Sequence, residues 1–288
     1  MGRLFLIVAA LILLFFFLRS GKFDRITVVL SGDPVVVWSW DTIKNRGVIV
    51  RIPKDTRIEA VRGYGIYPVS SLWELGKLNN DSTLLADSIG VALGIPVSWY
   101  VGPTSLPPFS SRGTIGRITT SIPTNIPLRI WLQLVRIQSN MTPINTVSLD
   151  LSESSGLKKM TLPDGSESIE IDTVKLDTLI GNEFEDIRVR QEAIPLGVYN
   201  TTTMPTLGGR MARVVSHLGG NVVIVGNSTH EVSQTCQLTG KSNALSSVTI
   251  TFLARQLGCS VVSNFEGNLD EQVDIILFVG RPLLHQLP

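Results

Sequence analysis

The sequence has almost no surplus charge and few cysteines, and both shortages exclude classes of protein. Lys and Arg together number 25 against 24 Asp and Glu, and charged residues make up 17% of the 288 residues. A chain so nearly neutral does not bind nucleic acid through bulk charge. Two cysteines cannot form a disulfide-rich scaffold. The length is nevertheless enough for about two ordinary domains, and the 43% of hydrophobic residues argues against a disordered chain.

Several motifs of catalysis and cofactor binding are also missing. The chain has no G-x-x-x-x-G-K-S/T phosphate loop, no H-E-x-x-H zinc motif and no nucleophile elbow. Gly63 and Gly65 lack the third glycine and the following helix of a dinucleotide fingerprint. His217, His230 and His285 do not have the spacing of metal ligands. We therefore expect neither a resident metal nor an organic cofactor.

One long hydrophobic run is present, Leu4–Leu18, between Arg3 and Arg19. As a helix it rises about 22 Å, which is short for a membrane span and long enough for the core of a signal peptide. No small-residue cleavage site follows it, so we predict an uncleaved anchor in residues 1–22 rather than a cleaved signal or a buried helix. The flanking charges nearly balance and, taken alone, lean toward a cytoplasmic body.

The remaining sequence alternates short Val- and Ile-rich runs with amphipathic segments, which predicts two mixed α/β domains. The first is predicted over residues 23–183, and its main elements are strands at Ile26–Leu30, Val35–Trp40, Val48–Ile52, Val147–Leu149, Leu157–Leu162 and Ser168–Ile171 and helices at Val69–Leu78, Asp81–Leu93 and Asn125–Gln138. Gly94 is placed to end the second helix. The Asp164-Gly165 pair is typical of a hairpin turn.

The second domain is predicted over residues 186–284. It opens with one strand over Ile187–Tyr199, followed by a helix over Leu207–Leu218, and later has a helix over Asn243–Leu257 and a buried strand over Val273–Val279. Cys236 and Cys259 lie 23 residues apart, at opposite ends of a strand-helix unit. Free buried thiols are the favoured interpretation, and a disulfide is the alternative if adjacent strands align.

The most basic part of the chain is Lys44–Arg62, called the basic stretch below, with six cations against Asp55 and Glu59. Positive charge near a strand end and a turn can hold an anion such as pyrophosphate, and Asp55 could bind a divalent ion or accept a proton. The alternative is a solvated basic edge that protects the sheet from edge pairing. Spacing alone favours this alternative.

A second candidate lies where a strand meets a helix, the crevice at which open α/β sheets often bind ligands. Its residues are Asn200, Thr201, Thr202, Gly208 and Gly209. The same residue types are also ordinary choices for turns and helix caps.

Two parts of the chain resemble a known family. Arg51–Thr56 reads R-I-P-K-D-T, follows two strands and precedes two helices, and it resembles the S-I-P-R-D-T segment of the LytR-CpsA-Psr envelope family. Three later segments resemble the LytR carboxy-terminal domain in order. Val198–Thr202 is similar to its strand ending in V-x-N-x-T, Leu207–Ala212 to its glycine-led helix, and Asp274–Gly280 to its last strand and glycine.

The resemblance implies a body held outside the cytoplasmic membrane by one amino-terminal helix. The family's enzymes transfer glycopolymers from a polyprenyl-pyrophosphate carrier to peptidoglycan, with arginines, aspartates and magnesium. By position, pyrophosphate would meet Arg51, Lys54, Arg57 and Arg62, and Asp55 would assist the metal or the acceptor.

Two departures from the family pattern favour a degenerate first domain. Lys54 replaces the family's arginine and loses its bidentate geometry. The second departure is that two family motifs are not found, the arginine and aspartate cluster ahead of Val35 and the late run of paired arginines and glutamine, and Arg112 and Arg117 are the only nearby candidates. Our leading hypothesis is a membrane-anchored, non-catalytic envelope protein that binds or scaffolds peptidoglycan or a polyprenyl-linked glycopolymer. The alternatives are a working phosphotransferase, which alone would need Mg²⁺, and a cytoplasm-facing regulator.

Overall fold

The computed structural model describes residues 24–103, 123–161, 165–263 and 271–280. In these ranges the chain has a mixed α/β fold with three β-sheets, which confirms the predicted class. The predicted anchor, the hairpin residue Asp164 and the candidates Arg112 and Arg117 lie outside the described residues. Within those residues, no helix combines the length and apolar character needed to cross a membrane.

The first part of the chain forms two of the sheets. Their strands are β1 (Arg25–Leu30), β2 (Val35–Asp41), β3 (Arg46–Ile52), β4 (Thr56–Ala60), β5 (Gly65–Pro68), β6 (Trp99–Val101), β7 (Thr146–Asp150), β8 (Leu157–Thr161) and β9 (Glu167–Ile171). The first sheet has the order β6-β1-β2-β3-β7, and the second has the order β5-β4-β9-β8. The helices of this part are α1 (Leu72–Leu78), α2 (Leu84–Leu93), α3 (Leu128–Asn140) and α4 (Thr173–Ile180).

The first sheet is covered on both faces, which explains why β1 and β2 are apolar at most positions. Alternate residues such as Val29 and Val37 pack in one core with Leu85 of α2. The intervening residues, such as Val28, pack in another core with Leu134 of α3. Every residue of β1 and β2 is buried as a result. The first sheet therefore lies as a middle layer between two hydrophobic cores.

The third sheet is built from residues 195–279, in the order β11-β10-β14-β12-β13. Its strands are β10 (Pro195–Asn200), β11 (Asn221–Asn227), β12 (Cys236–Gly240), β13 (Ser260–Val261) and β14 (Ile275–Val279), and the helices are α5 (Ile187–Glu192), α6 (Leu207–His217) and α7 (Val248–Leu257). All five residues of β14 are buried, as predicted. The exact domain limits stay a prediction.

The strand predicted over Ile187–Tyr199 was wrong in its first half, which is helix α5. The carboxylate of Asp186 accepts a hydrogen bond from the backbone N–H of Arg188 at 2.8 Å and caps this helix. Glu192, at its last position, then caps α7 from a distance, because it accepts hydrogen bonds from the backbone N–H groups of Val248 and Thr249 at 2.9 and 2.8 Å. Caps outweigh the β-propensity of a six-residue segment.

The interpretation of the two cysteines as free thiols was also wrong, because Cys236 and Cys259 form a disulfide. The parallel strands β12 and β13 pair Gln237 with Ser260, and each cysteine directly precedes one residue of this pair, Cys236 as the first residue of β12 and Cys259 just before β13. Their Cα atoms consequently lie 4.7 Å apart, within the range that a disulfide bridges. The disulfide therefore depends on the register of β12 and β13, which the sequence left open.

Candidate functional site

Lys54, the first residue of the predicted anion site, lies just beyond β3 and pairs with an acidic residue that the sequence interpretation missed. Its Nζ lies 3.1 Å from Oδ2 of Asp33, in the loop between β1 and β2, and both side chains are more than half exposed. The hydrogen bond and charge of Asp33 raise the pKa of Lys54. The signal for Asp33 was its position two residues before β2, the strand that pairs with β3.

Arg51 and Asp55 flank Lys54 and differ in their contacts. Arg51 donates a hydrogen bond to the hydroxyl of Ser148 and stands opposite Asp150 in the register of β3 and β7. A hydrogen bond from the Ser152 hydroxyl lowers the pKa of Asp150, and the charge of Arg51 adds to the effect. Asp55 is exposed.

Arg57 and Arg62 belong to the second sheet and the segment after it, so the four predicted cations do not share one partner. Arg57 stands opposite Glu170 in the register of β4 and β9 and donates to the carbonyl of Ile66 at 3.4 Å. Arg62 donates to Asp81 at 2.9 Å and to Asp87 at 2.6 Å, which holds the turn after β4 against α2.

The other two cations of the basic stretch are also engaged. Lys44 donates to the backbone carbonyl of Glu185 at 3.3 Å, and Arg46 pairs with Glu183 at 2.9 Å. In the described part of the chain, no three His, Cys, Asp or Glu side chains form a group that could hold a metal. The carboxylates of Asp33 and Asp150 accept hydrogen bonds from Lys54 and Ser152. This donor set does not fit a magnesium ion held by the protein alone.

The polar side chains of the predicted carboxy-terminal crevice hydrogen-bond to neighbouring groups of the chain. The amide of Asn200 donates to the carbonyl of Met204 at 2.6 Å, and its oxygen accepts from the backbone N–H and the hydroxyl of Thr202 at 2.9 and 2.8 Å. The hydroxyl of Thr201 donates to the carbonyl of Val279 at 2.8 Å. These bonds stabilise the turn that leads into α6, and they match the turn-and-cap alternative.

The two glycines of the crevice differ. A Cβ atom at Gly208 would lie 3.4 Å from Cβ of Asn200, which is ordinary contact, whereas one at Gly209 would meet nothing within 4 Å. Close packing therefore does not explain Gly209, and Gly208 lies against the strand end that carries Asn200.

Sequence interpretation missed a junction at which α6 meets α2 and α4 across the predicted domain boundary. The guanidinium of Arg213 on α6 donates to the carboxylate of Asp177 on α4, with a shortest distance of 2.6 Å. It also donates to the carbonyls of Val91 and Ala92 at 3.1 Å each, near the end of α2. Helix carboxyl ends attract cations, so Arg213 stabilises the end of α2 as well as the junction.

His217, four residues after Arg213, contacts the same helix end. Its Nδ1 lies 2.9 Å from the carbonyl oxygen of Gly94, and its Nε2 lies 3.4 Å from Asp177. Burial lowers the pKa of His217, and it outweighs the opposing charge of Asp177. An arginine and a histidine at i and i+4 on an amphipathic helix were the available signal.

Gly94 is the residue that lets the junction close. It ends α2 with a left-handed φ of 66°, as predicted for a helix-terminating glycine. A Cβ atom at this position would lie 2.9 Å from Cζ of Arg213. Gly94 is therefore required twice, for its backbone conformation and for the space that Arg213 occupies.

A cleft of about 200 Å³ lies beside the junction. One wall is formed by α2 and the segment after it, and the other by α6 and the end of α7. Its apolar side chains include Val91, Val97, Met211, Val214 and Leu257, and its polar ones include Asp87, Arg210, Arg213 and Gln256. The cleft is thus mostly apolar with a few polar groups, as is typical of small-molecule sites.

Comparison with known proteins gives structural likenesses only. No family model and no curated protein matches the chain. TagV of B. subtilis has 12% identity and a TM-score of 0.43 over 55% of this chain and 95% of its own. TagT of B. subtilis has 13% identity and a TM-score of 0.40 over 56% of this chain and 92% of its own. Lin1025 of Listeria innocua has 12% identity and a TM-score of 0.39 over 55% of this chain and 95% of its own. Likenesses at this level assign neither a family nor a function to this chain.

Proposed function

We propose that this chain is a cell-envelope protein of the LytR-CpsA-Psr type that binds or scaffolds in the wall layer and does not transfer glycopolymers. The observation that carries the proposal is the internal pairing of the basic stretch. Lys54 meets Asp33, and Arg62 meets both Asp81 and Asp87. Phosphoryl transfer needs several free positive groups that converge on the developing charge. These cations are instead matched by the chain's own carboxylates.

The envelope placement rests on the sequence and on one structural feature. The R-I-P-K-D-T segment resembles that of the envelope family, and residues 1–22 are expected to anchor the body outside the cytoplasmic membrane. The disulfide between Cys236 and Cys259 supports this placement, because disulfides persist in oxidising compartments. The expected partners are the membrane and either peptidoglycan or a polyprenyl-linked glycopolymer.

The phosphotransferase remains the second candidate, and one observation favours it. Arg51 lies near the end of β3 and Lys54 just beyond it, with Asp33 beside Lys54 and Asp150 opposite Arg51. A pyrophosphate that displaced Asp33 from Lys54 could take its place, with Mg²⁺ supplied together with the lipid and Asp55 acting on the metal or the acceptor.

Native mass spectrometry separates the two candidates. The full chain, purified in detergent from bacterial membranes, is titrated with undecaprenyl pyrophosphate and Mg²⁺. We expect no saturable lipid adduct. A saturable adduct that Lys54→Ala abolishes would establish the second candidate instead. Lys77→Ala is the matched control, because Lys77 is also exposed and its pair with Glu74 is long, at 3.9 Å.

Co-sedimentation with purified peptidoglycan sacculi tests the binding role directly. We expect saturable sedimentation of the full chain, and its absence would contradict a wall-binding role. Protease treatment of intact cells tests the orientation. Digestion of the body from outside is expected, whereas protection would support the cytoplasm-facing regulator.

A further inference from the structure

Two buried hydrogen-bond donors in the cleft have no partner within the described ranges. They are Nη1 of Arg210 on α6 and Nε2 of Gln256 on α7. Both residues line the cleft, from the two helices that form one of its walls. Buried donors without an acceptor are rare in folded proteins, and each calls for an explanation such as a bound ligand. A ligand that enters this cleft with acceptor oxygens would satisfy both.

The charges around the cleft indicate the sign of that acceptor. Arg213 is matched by Asp177, and Asp87 is matched by Arg62. The contact of Arg210 is looser, because its Nη2 lies 3.5 Å from Oε2 of Glu59, whose side chain is 56% exposed. The weakly paired charge at the cleft is therefore positive, and arginine beside an amide donor suits a carboxylate.

The rest of the cleft is suited to an apolar body. Val97 faces it from the first wall, and Met211, Val214 and Leu257 face it from the second. Its volume of about 200 Å³ is below the roughly 300–1,000 Å³ of sites for drug-sized ligands, so the ligand must be small. The bonds of Arg213 to Asp177, Val91 and Ala92 hold the walls together, so the cleft is formed in advance.

We propose that this cleft binds a small amphipathic carboxylate, with the carboxylate on Arg210 and Gln256 and the apolar body against Met211, Val214 and Leu257. The chemistry is shared by two sources, the apolar carboxyl terminus of a peptide and a free short-chain organic acid. The site does not depend on the envelope function proposed above, because none of the residues that would contact the ligand belongs to the basic stretch.

Isothermal titration calorimetry of the full chain in lipid nanodiscs tests the site, with empty nanodiscs as the blank. N-acetylleucine represents the peptide terminus and 4-methylpentanoate the free acid, whereas N-acetylleucinamide lacks the carboxylate. We expect at least one of the two acids to bind saturably and the amide not to bind. The acid that binds more tightly identifies the source.

Variants locate the binding. Arg210→Met keeps the length of the side chain and removes its charge, and it should weaken the affinity at least tenfold. Arg210→Lys should restore part of the loss, and Gln256→Leu should weaken binding less than Arg210→Met. Arg255→Gln is the matched control, because Arg255 is exposed and pairs with Asp24 at 3.7 Å, away from the cleft.

Three results would overturn the proposal. The first is that neither acid binds to the folded chain. The second is that the amide binds as tightly as the acids, and the third is that Arg210→Met leaves the affinity for the acid unchanged. Circular dichroism spectra and unfolding midpoints matching the unmodified chain confirm that each variant is folded, so that a loss of affinity reports on the cleft.

Discussion

The basic stretch and the junction both concentrate cations, yet they use them differently. In the basic stretch the cations meet separate partners, and the pair of Lys54 with Asp33 is more than half exposed on both sides. At the junction the Arg213 side chain is only 21% exposed and joins α6 to α2 and α4. Charge density along a chain therefore does not tell how much a cation stabilises the fold. Burial and the element that supplies the partner decide this.

Arg213→Ala should have the largest effect on stability. The substitution leaves Asp177 and two carbonyls at the end of α2 without their donor, so we expect the free energy of unfolding to fall by about 2–3 kcal/mol. Denaturant unfolding of the full chain in detergent measures the loss. Arg213→Lys keeps the charge but not the planar fork, and it should lose less. A loss below about 1 kcal/mol in Arg213→Ala would show that the junction adds little stability.

Arg62→Ala should have the next largest effect, because Arg62 is the best-paired cation of the basic stretch. Its removal leaves Asp81 and Asp87 without their shared partner, at a cost of about 1–2 kcal/mol in the free energy of unfolding. A double-mutant cycle with Asp87→Asn measures the pair itself. Additive effects of the two substitutions in that cycle would contradict the pairing of Arg62 with Asp87. Arg57→Ala is the control, because it removes an arginine of the same stretch whose hydrogen bond is longer.

Acidification should weaken the junction by a smaller amount than either substitution. Burial lowers the pKa of His217 below the ordinary 6.5, so the unfolded chain binds this proton at a higher pH than the folded chain does. Stability should therefore be complete above about pH 6.5 and fall as the pH drops below it.

Unfolding midpoints at pH 7 and pH 5.5 test this effect, since the aspartates and glutamates titrate mainly at lower pH. His217→Gln keeps a donor for the carbonyl of Gly94 and should lose most of the difference between the two midpoints. The same difference in His217→Gln as in the unmodified chain would assign the effect to another group.

Lys54→Ala should have the smallest effect on stability. Its pair with Asp33 is exposed on both sides, and such pairs are screened by solvent and salt. We expect an unchanged thermal midpoint at low and at moderate ionic strength. A decrease in the midpoint as large as that of Arg62→Ala would mean that the exposed pair of Lys54 stabilises the fold as much as the partly buried pairs of Arg62. Burial would then not decide how much a cation of the basic stretch contributes.

Local patterns predicted much of the fold. The apolar runs of β1, β2 and β14, the amphipathic pattern of α3 and the terminating Gly94 are properties of a few adjacent residues, and the structure has each of them. Helix α5 was predicted as strand because six residues carry little periodicity, and its cap at Asp186 was not recognised.

The candidate sites were less predictable from sequence. Spacing identified the basic stretch and the turn at Asn200, but it could not reveal that Asp33 reaches Lys54 or that Met204 and Thr202 satisfy Asn200. The cleft escaped detection altogether, because its walls come from residues 87–98 and 210–257, far apart in the chain.

The sequence by itself determined the α/β class, most of the strands and helices, and the positions of the charges. The signals behind these predictions are the spacing of hydrophobic residues, turn residues and helix-ending glycines. Each acts over a few residues, so it can be interpreted without knowledge of the tertiary structure. The tertiary structure alone decided which charges are paired, that Cys236 meets Cys259, and that Arg210 and Gln256 share a cleft. These outcomes depend on distances between segments that are remote in sequence, and strand register and helix packing fix those distances only when the whole chain folds.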